Sequence, residues 1–181
     1  MPEGRYASVV LLAEDQTQIR FLRGWIREHV NVDTRAIRSR LPSKGLGAGE
    51  QFVREQFPIE LREHLRQINH RGSVLIAVID ADTEPFEAHY QPLRNQAAGV
   101  NTVAVFVPKR NIETWIRALT GGSPVDEATD YKKGTEAGLE KRAALLFLKL
   151  IREAIEPPGL LPSLALGIKE ARRIRRDHLP S

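Results

Sequence analysis

Apolar residues fall along this chain in two kinds of run: short unbroken ones, and longer ones spaced at three and four. Residues Ala7 to Ala13 (ASVVLLA), Ser73 to Ile79 (SVLIAVI) and Thr102 to Val107 (TVAVFV) are unbroken, the pattern of strands covered on both faces of a parallel sheet. A weaker alternation over Val32 to Leu41, carrying Arg35, Arg38 and Arg40, predicts a strand near a sheet edge. Between the strands lie helical periods. Ile19, Leu22, Trp25, Ile26 and Val30 mark a helix over Gln16 to Val30, and Phe57, Leu61, Leu65 and Ile68 the inner face of one over Glu50 to Ile68, interrupted or restarted at Pro58. Pro85 to Gln96 is a third. Ile112, Trp115, Ile116 and Leu119 are the core face of a fourth, on which Glu113 and Arg117 are placed to pair at the surface. Leu139, Ala143, Leu146, Leu150 and Ala154 mark a fifth over Thr135 to Ile155, stopped by Pro157, Pro158 and Gly159. Ser163 is expected to cap the last, with Leu164, Ile168, Ala171 and Ile174 inward. Alternating strands and helices predict an α/β fold: a Rossmann-like parallel sheet of about four strands flanked by helices, with a helical C-terminal extension.

Three of these strands end in polar residues, and in open α/β sheets the crevice beyond the carboxyl ends of the strands is where ligands bind. The first is followed by Glu14 and Asp15. The central one runs into Asp80, Asp82 and Glu84, and the fourth into Pro108, Lys109, Arg110 and Asn111. If the chain stays extended, Asp80 and Asp82 share a side. Two carboxylates that close repel by about 4 kcal/mol at 4 Å and an effective dielectric near 20. A hard divalent cation, Mg2+ or Mn2+, would offset this, binding one or two carboxylates together with substrate phosphate. The alternative is a polar loop whose acids cap the helix that begins at Pro85. Gly45, Gly47 and Gly49, in PSKGLGAGEQF, make either a flexible connector or a phosphate cradle, and lack the Lys-Ser/Thr ending of a P-loop.

Composition narrows the setting. The chain has 181 residues, 41% of them hydrophobic, enough for one compact domain across 1–181, with a core of about 7–120 and an extension of about 135–178. With no cysteine there is no disulfide, thiolate metal site or cysteine nucleophile, which fits a reducing cytoplasm. No apolar run is long enough to cross a bilayer, and the opening MPEGRYAS has no signal core. The net charge of +4 permits an anionic partner, and the positive charge crowds the final helix at Lys169, Arg172, Arg173, Arg175 and Arg176. Lys169, Arg172, Arg173 and Arg176 are accordingly candidates for gripping a nucleic-acid backbone, with a solvated helix face as the alternative. His29, His64, His70, His89 and His178 have no metal-binding spacing and read as surface residues, while Trp25 and Trp115 read as core.

Three α/β families end strands in acids. The start, VLLAEDQTQIRFLRGWI, looks like a receiver domain, but the 66 positions from Glu14 to Asp80 exceed that family's spacing. DADTE nearly matches the DxDx[T/V] of haloacid-dehalogenase phosphatases, yet its fifth residue is Glu84 and it follows the third strand, not the first. Glu14 after the first strand with Asp80 and Asp82 after the third resembles the Toprim domain of topoisomerases, DnaG-type primases and OLD (overcoming lysogenization defect) nucleases. VPKRNIETWI is also similar to the fourth strand and following helix of small stand-alone Toprim-like proteins of bacteria. Asp15 stands where that family usually has glycine, and Glu84 where a third aspartate often stands.

The resemblance implies a Mg2+- or Mn2+-dependent nuclease. Asp80 and Asp82 would bind the metal, Glu84 would be a second-metal or water-mediated ligand, and Glu14 a ligand or general acid/base. Lys109 and Arg110 would hold the phosphate, and Glu113 could join the metal site. Tyr6, Tyr90 and Tyr131 lack the context of a topoisomerase nucleophile. The resemblance also implies work beside a partner ATPase in anti-phage defence, with a catalytically silent binding or regulatory module as the alternative.

Overall fold

The computed structural model of the protein describes residues 4–43, 45, 48–121, 124–153 and 156–177, with the side chains of 69–71 outside the description. Gly47, Ala154, Ile155 and His178, and the side chain of His70, lie outside the described residues. Four parallel strands, β1 (Ser8–Leu12), β2 (Ile37–Arg40), β3 (Ser73–Val78) and β4 (Val103–Phe106), form one sheet in the order β2-β1-β3-β4. Among the described residues six helices cover it: α1 (Gln16–His29), α2 (Gly49–Arg71), α3 (Phe86–Gln96), α4 (Ile112–Thr120), α5 (Leu139–Arg152) and α6 (Pro162–Ala171). The unbroken apolar runs follow from this layering, because successive strand residues face opposite layers and both layers are dry. Val9, Leu11, Val74, Ile76, Ala104 and Phe106 meet α1, α4, α5 and α6. Val10, Leu12, Leu75, Ala77, Val103 and Val105 meet α2 and α3. Trp25 and Trp115 are fully buried as expected. With Phe106 and Phe147 they form an aromatic cluster, ring centroids 5.6 to 6.1 Å apart, each such pair adding about 0.5–1.5 kcal/mol beyond burial.

The sheet order sets the site. From β1 the chain goes through α1 to β2 on one side, and from β3 through α3 to β4 on the other. Beyond the carboxyl ends of β1 and β3 the connections diverge, the switch point at which such sheets generally place their ligand sites.

Several local expectations are corrected. β2 is shorter than the alternation suggested, because a 3-10 turn at Thr34–Ala36, capped by Asp33, precedes it; it does lie at the sheet edge. Helix α2 runs unbroken through Pro58. Its inner face is Val53, Phe57, Leu61 and His64, whereas Leu65 is exposed. His64 is held by Ser73 Oγ at 2.7 Å and Thr102 Oγ1 at 2.9 Å, and those hydroxyls explain why a histidine displaces a leucine from the core face. α5 starts at Leu139, after Gly138 in a left-handed conformation, and buries Ala143, Ala144, Phe147, Leu148 and Ile151 instead of Leu146 and Leu150. Arg117 does not pair with Glu113; it donates to the Gly134 carbonyl and lies over the Tyr131 ring. Ser163 does not cap α6, whose N-cap is Leu161 with Pro162 in the first turn. It is buried instead, its Oγ accepting from Trp115 Nε1 at 2.8 Å and from the Lys109 N–H at 3.3 Å.

The open side of β4 is closed by charge. Glu170, fully buried on α6, accepts the Val105 N–H at 3.1 Å and the Tyr90 hydroxyl at 2.9 Å. Arg94 of α3 lies 3.4 Å from it and donates to the Val103, Ala97 and Val100 carbonyls. Edge-strand groups that would otherwise be open to another chain are thereby used up.

Candidate functional site

Residues 13–18 form a turn that fixes two acids in different roles. Asp15 has extended backbone (φ −147°), and its Oδ1 accepts the Gln18 N–H at 2.9 Å, capping α1. An extended residue there needs no glycine, so the turn forms with aspartate in its place. The cap leaves Glu14 to point elsewhere. Its backbone N–H donates to Gln18 Oε1 at 2.8 Å, and its Oε1 accepts the backbone N–H of Asp80 at 2.7 Å. The ends of β1 and β3 are thus joined through Glu14. On its other side lies Gly49, the first residue of α2; a Cβ there would sit 2.6 Å from Glu14 Cβ, so only glycine lets this carboxylate keep its place.

Asp80 is buried, 4% exposed, and its Oδ1 has no hydrogen-bond partner among the described residues. Burial, then the charges of Glu14 and Asp15, hold its proton far above the ordinary aspartate range. Glu14 is pushed up to about 7, chiefly by burial; the Asp80 N–H works against the shift, while Asp82, Asp15 and Glu50 add to it. Glu113, half-buried in the first turn of α4, is also raised by burial, and its Oε2 has no partner among the described residues.

Asp82 and Glu84 are exposed. The chain does not stay extended past Asp80: Asp82 has φ +46° and its N–H donates to the carbonyl of Arg110, itself at φ +66°. Two non-glycine residues in the left-handed region, bridged to each other, are a costly arrangement that marks functional turns. The bridge ties the acidic turn after β3 to the basic turn after β4. The acids do not cap α3, whose N-cap is Pro85 with no side-chain bond.

The two basic residues expected to hold phosphate each have another contact, though Arg110 Nε is buried without a hydrogen-bond partner among the described residues. Lys109 Nζ donates to the Glu84 carbonyl. Arg110 lies 3.8 Å from Asp130, which also accepts from Asn111 Nδ2 at 2.8 Å. Lys132, in the connection between α4 and α5, is exposed on the whole; partial burial lowers its affinity for a proton, but the charges of Asp80, Asp82, Glu113 and Asp15 outweigh that and raise it.

Sequence reasoning missed Lys132, Gln18 and Asp130. Gln18 sits one helical turn after Glu14, a spacing that could have flagged it; a lysine in an irregular loop carries no such signal.

No family model, curated protein or solved structure matches this chain. What the site can do therefore follows from its own chemistry. Every donor is a hard oxygen, and the unpartnered oxygens of Asp80 and Glu113 are what an oxygen-seeking divalent cation would satisfy. Among the described residues the acids are not gathered into a ready-made set of three ligands, so a cation would draw at least one inward or take water and substrate oxygens.

The histidine reading is corrected in part. His64 and His89 are buried, and His89 Nδ1 lies 2.8 Å from Arg54 in the α2–α3 interface. His29 is half-buried against the Ile174 carbonyl. The basic residues at the C-terminus are not brought to the acids. α6 ends at Ala171, so only Lys169 of the group lies within it, exposed. Arg172 donates to the Leu150, Ile151 and Glu153 carbonyls at the end of α5, and Arg173 to Glu170. The Arg175 carbonyl accepts from Tyr6, and that of Arg176 from the Asn31 N–H. Arg175 and Arg176 thus stand at the amino end of β1, across the sheet from Glu14. Among the described residues no helix is long and apolar enough to cross a membrane.

Proposed function

We propose that this chain is a Toprim-like, divalent-metal-dependent phosphodiester hydrolase acting on nucleic acid, with Glu14 and Asp80 at its centre. The observation that carries the reading is the 2.7 Å contact between Glu14 of the β1 turn and the Asp80 backbone, beside a buried carboxylate oxygen that has no hydrogen-bond partner among the described residues. Asp80, with Asp82, would hold Mg2+ or Mn2+; Glu113, in the first turn of α4, could join them, and Glu84 would act through water. Once bound, the cation would polarise the phosphodiester and draw off the charge that develops in its transition state. Glu14, with an affinity for its proton near neutrality, suits a group that takes a proton from the attacking water or returns one to the leaving oxygen. Action in the cytoplasm, in anti-phage defence, belongs to the same proposal and rests on the resemblance and the cysteine-free sequence.

The purified protein should cleave plasmid DNA or tRNA only with Mg2+ or Mn2+, and Asp80→Ala should abolish cleavage. Unchanged activity in Asp80→Ala would remove the assignment. The dispersed acids favour one second reading, a module idle until a partner draws them together. Cleavage that begins only when a partner ATPase is added would select it.

A further inference from the structure

We infer that Arg54 grips a phosphate of the nucleic-acid backbone, one neighbouring the phosphate at the metal, at the seam between α2 and α3. The inference deepens the metal-dependent reading above and rests on it. Printed contacts place the residue beside the site from two directions. α2 begins at Gly49, which lies against Glu14: a Cβ on that glycine would be 2.6 Å from Glu14 Cβ. Arg54 stands five residues on, about 7.5 Å along the helix axis. From the other direction α3 begins at Phe86, two residues past Glu84, and His89 near its start reaches back to Arg54. The seam thus opens next to Glu14 and next to the acidic turn after β3.

Three side chains there fix the guanidinium. Arg54 Nε donates to Glu50 Oε1 at 2.9 Å and Nη2 to His89 Nδ1 at 2.8 Å, with His89 Nδ1 and Glu50 Oε1 3.4 Å apart. To accept from arginine, His89 must be neutral with its proton on Nε2, and burial, foremost, disfavours a second proton. That Nε2 is buried without a hydrogen-bond partner among the described residues. An unpaired buried N–H destabilises a fold, and an apolar side chain would fill the seam without it. What histidine adds is the lone pair that aims Arg54. Two of the five guanidinium N–H groups are used in this way. Nη1 bonds to nothing among the described residues, and the side chain is 34% exposed. A guanidinium held along its Nε side and open along its Nη1 edge is shaped to donate to two phosphate oxygens. The cations after β4 are not so disposed: Lys109 is bound to the Glu84 carbonyl, and the unpartnered nitrogen of Arg110, Nε, is buried.

The test compares wild type, Arg54→Gln, Arg54→Lys and Arg66→Gln, the last removing the same charge from a 76% exposed side chain toward the other end of α2. The rise in melting temperature with Mg2+ reads the metal centre. Affinity for a labelled DNA hairpin and for tRNA in Ca2+, over a range of salt, reads the strand without cleavage. All four proteins should bind Mg2+. Arg54→Gln should bind nucleic acid at least tenfold more weakly, with the slope of log affinity against log salt reduced by about one. Arg54→Lys should recover the slope and part of the affinity, and Arg66→Gln should match wild type. In wild type, nucleic acid should protect Arg54 from phenylglyoxal, followed by peptide mass spectrometry, a measurement that stands even if Arg54→Gln does not fold. A lower melting temperature with wild-type affinity and slope would make Arg54 a tie between two helices and overturn the inference. So would an equal loss in Arg66→Gln, an Arg54 that is unreactive or unprotected, or wild type that binds Mg2+ but no nucleic acid; all of these leave the metal centre standing. Wild type that binds no divalent cation would bring down the metal reading itself, and this inference with it.

Discussion

Replacing Glu14 by glutamine isolates the electrostatic cost of the site. The substitution keeps the oxygen that accepts the Asp80 N–H at 2.7 Å and removes only the charge. Glu14 is raised from 4.5 to about 7, mainly by burial. Each tenfold gain in proton affinity is worth about 1.36 kcal/mol, so the rise corresponds to at most about 3 kcal/mol. A raised carboxyl binds its proton more tightly in the folded state. Its penalty is therefore absent below pH 4.5, grows between 4.5 and 7, and is complete above 7. Without metal, Glu14→Gln should match wild type in urea denaturation at low pH and exceed it by up to about 3 kcal/mol at pH 8. Asp80 shares the field, so the gap belongs to the coupled pair. Saturating Mg2+ at pH 8 should narrow the gap, because the cation stabilises the charged form only wild type can adopt. A gap of equal size at pH 5 and pH 8, or a variant less stable at both, would refute the account of Glu14 as a buried acid held ready for a counter-charge.

Other perturbations separate the site from its scaffold. Gly49→Ala should keep the fold, since alanine favours a helix start by about 0.5–1 kcal/mol over glycine, but its methyl must displace Glu14; Mg2+ affinity measured by calorimetry should fall at least tenfold. Glu170→Ala strips Arg94 and the Val105 N–H of their buried partner and should cost about 3–5 kcal/mol in urea denaturation, whatever the metal content. His64, lowered to about 4 by burial, stays neutral in the fold while the unfolded chain takes up a proton below pH 6.5. Stability should fall by about 3 kcal/mol as pH drops from 6.5 to 4, a decline that His64→Gln should flatten.

The sheet and the meeting of Glu14 with the Asp80 turn were legible in the sequence because both rest on strong local signals. A buried parallel strand must be apolar throughout, and the acids directly after it can only lie at its carboxyl end. Helix faces were legible where bulk decides, as at Trp25 and Trp115, and misread where close approach or a polar pair decides. On α5, Ala144 lies against Gly24 of α1, where a Cβ on that glycine would come within 2.6 Å, so small residues take the interface and Leu146 and Leu150 move to its margin. On α2, two hydroxyls bring His64 inward and turn Leu65 out. The run of arginines after Ala171 looked like one functional face because composition cannot show where a helix ends; its members instead cap α5, pair with Glu170 and close the amino end of the sheet.

The distribution of positive charge around the acids has a consequence for how the site would work. Four carboxylates at the ends of three strands repel any phosphate, and the cations nearest them in sequence, Lys109 and Arg110, are tied to a carbonyl and to Asp130. On the proposed reading, a divalent cation would reverse the local sign of this acidic cluster before a phosphate could approach it. On that reading metal would bind before substrate. The raised proton affinities of Glu14 and Asp80 come first from burial and then from neighbouring acids, so a cation bound as proposed would have to displace protons there.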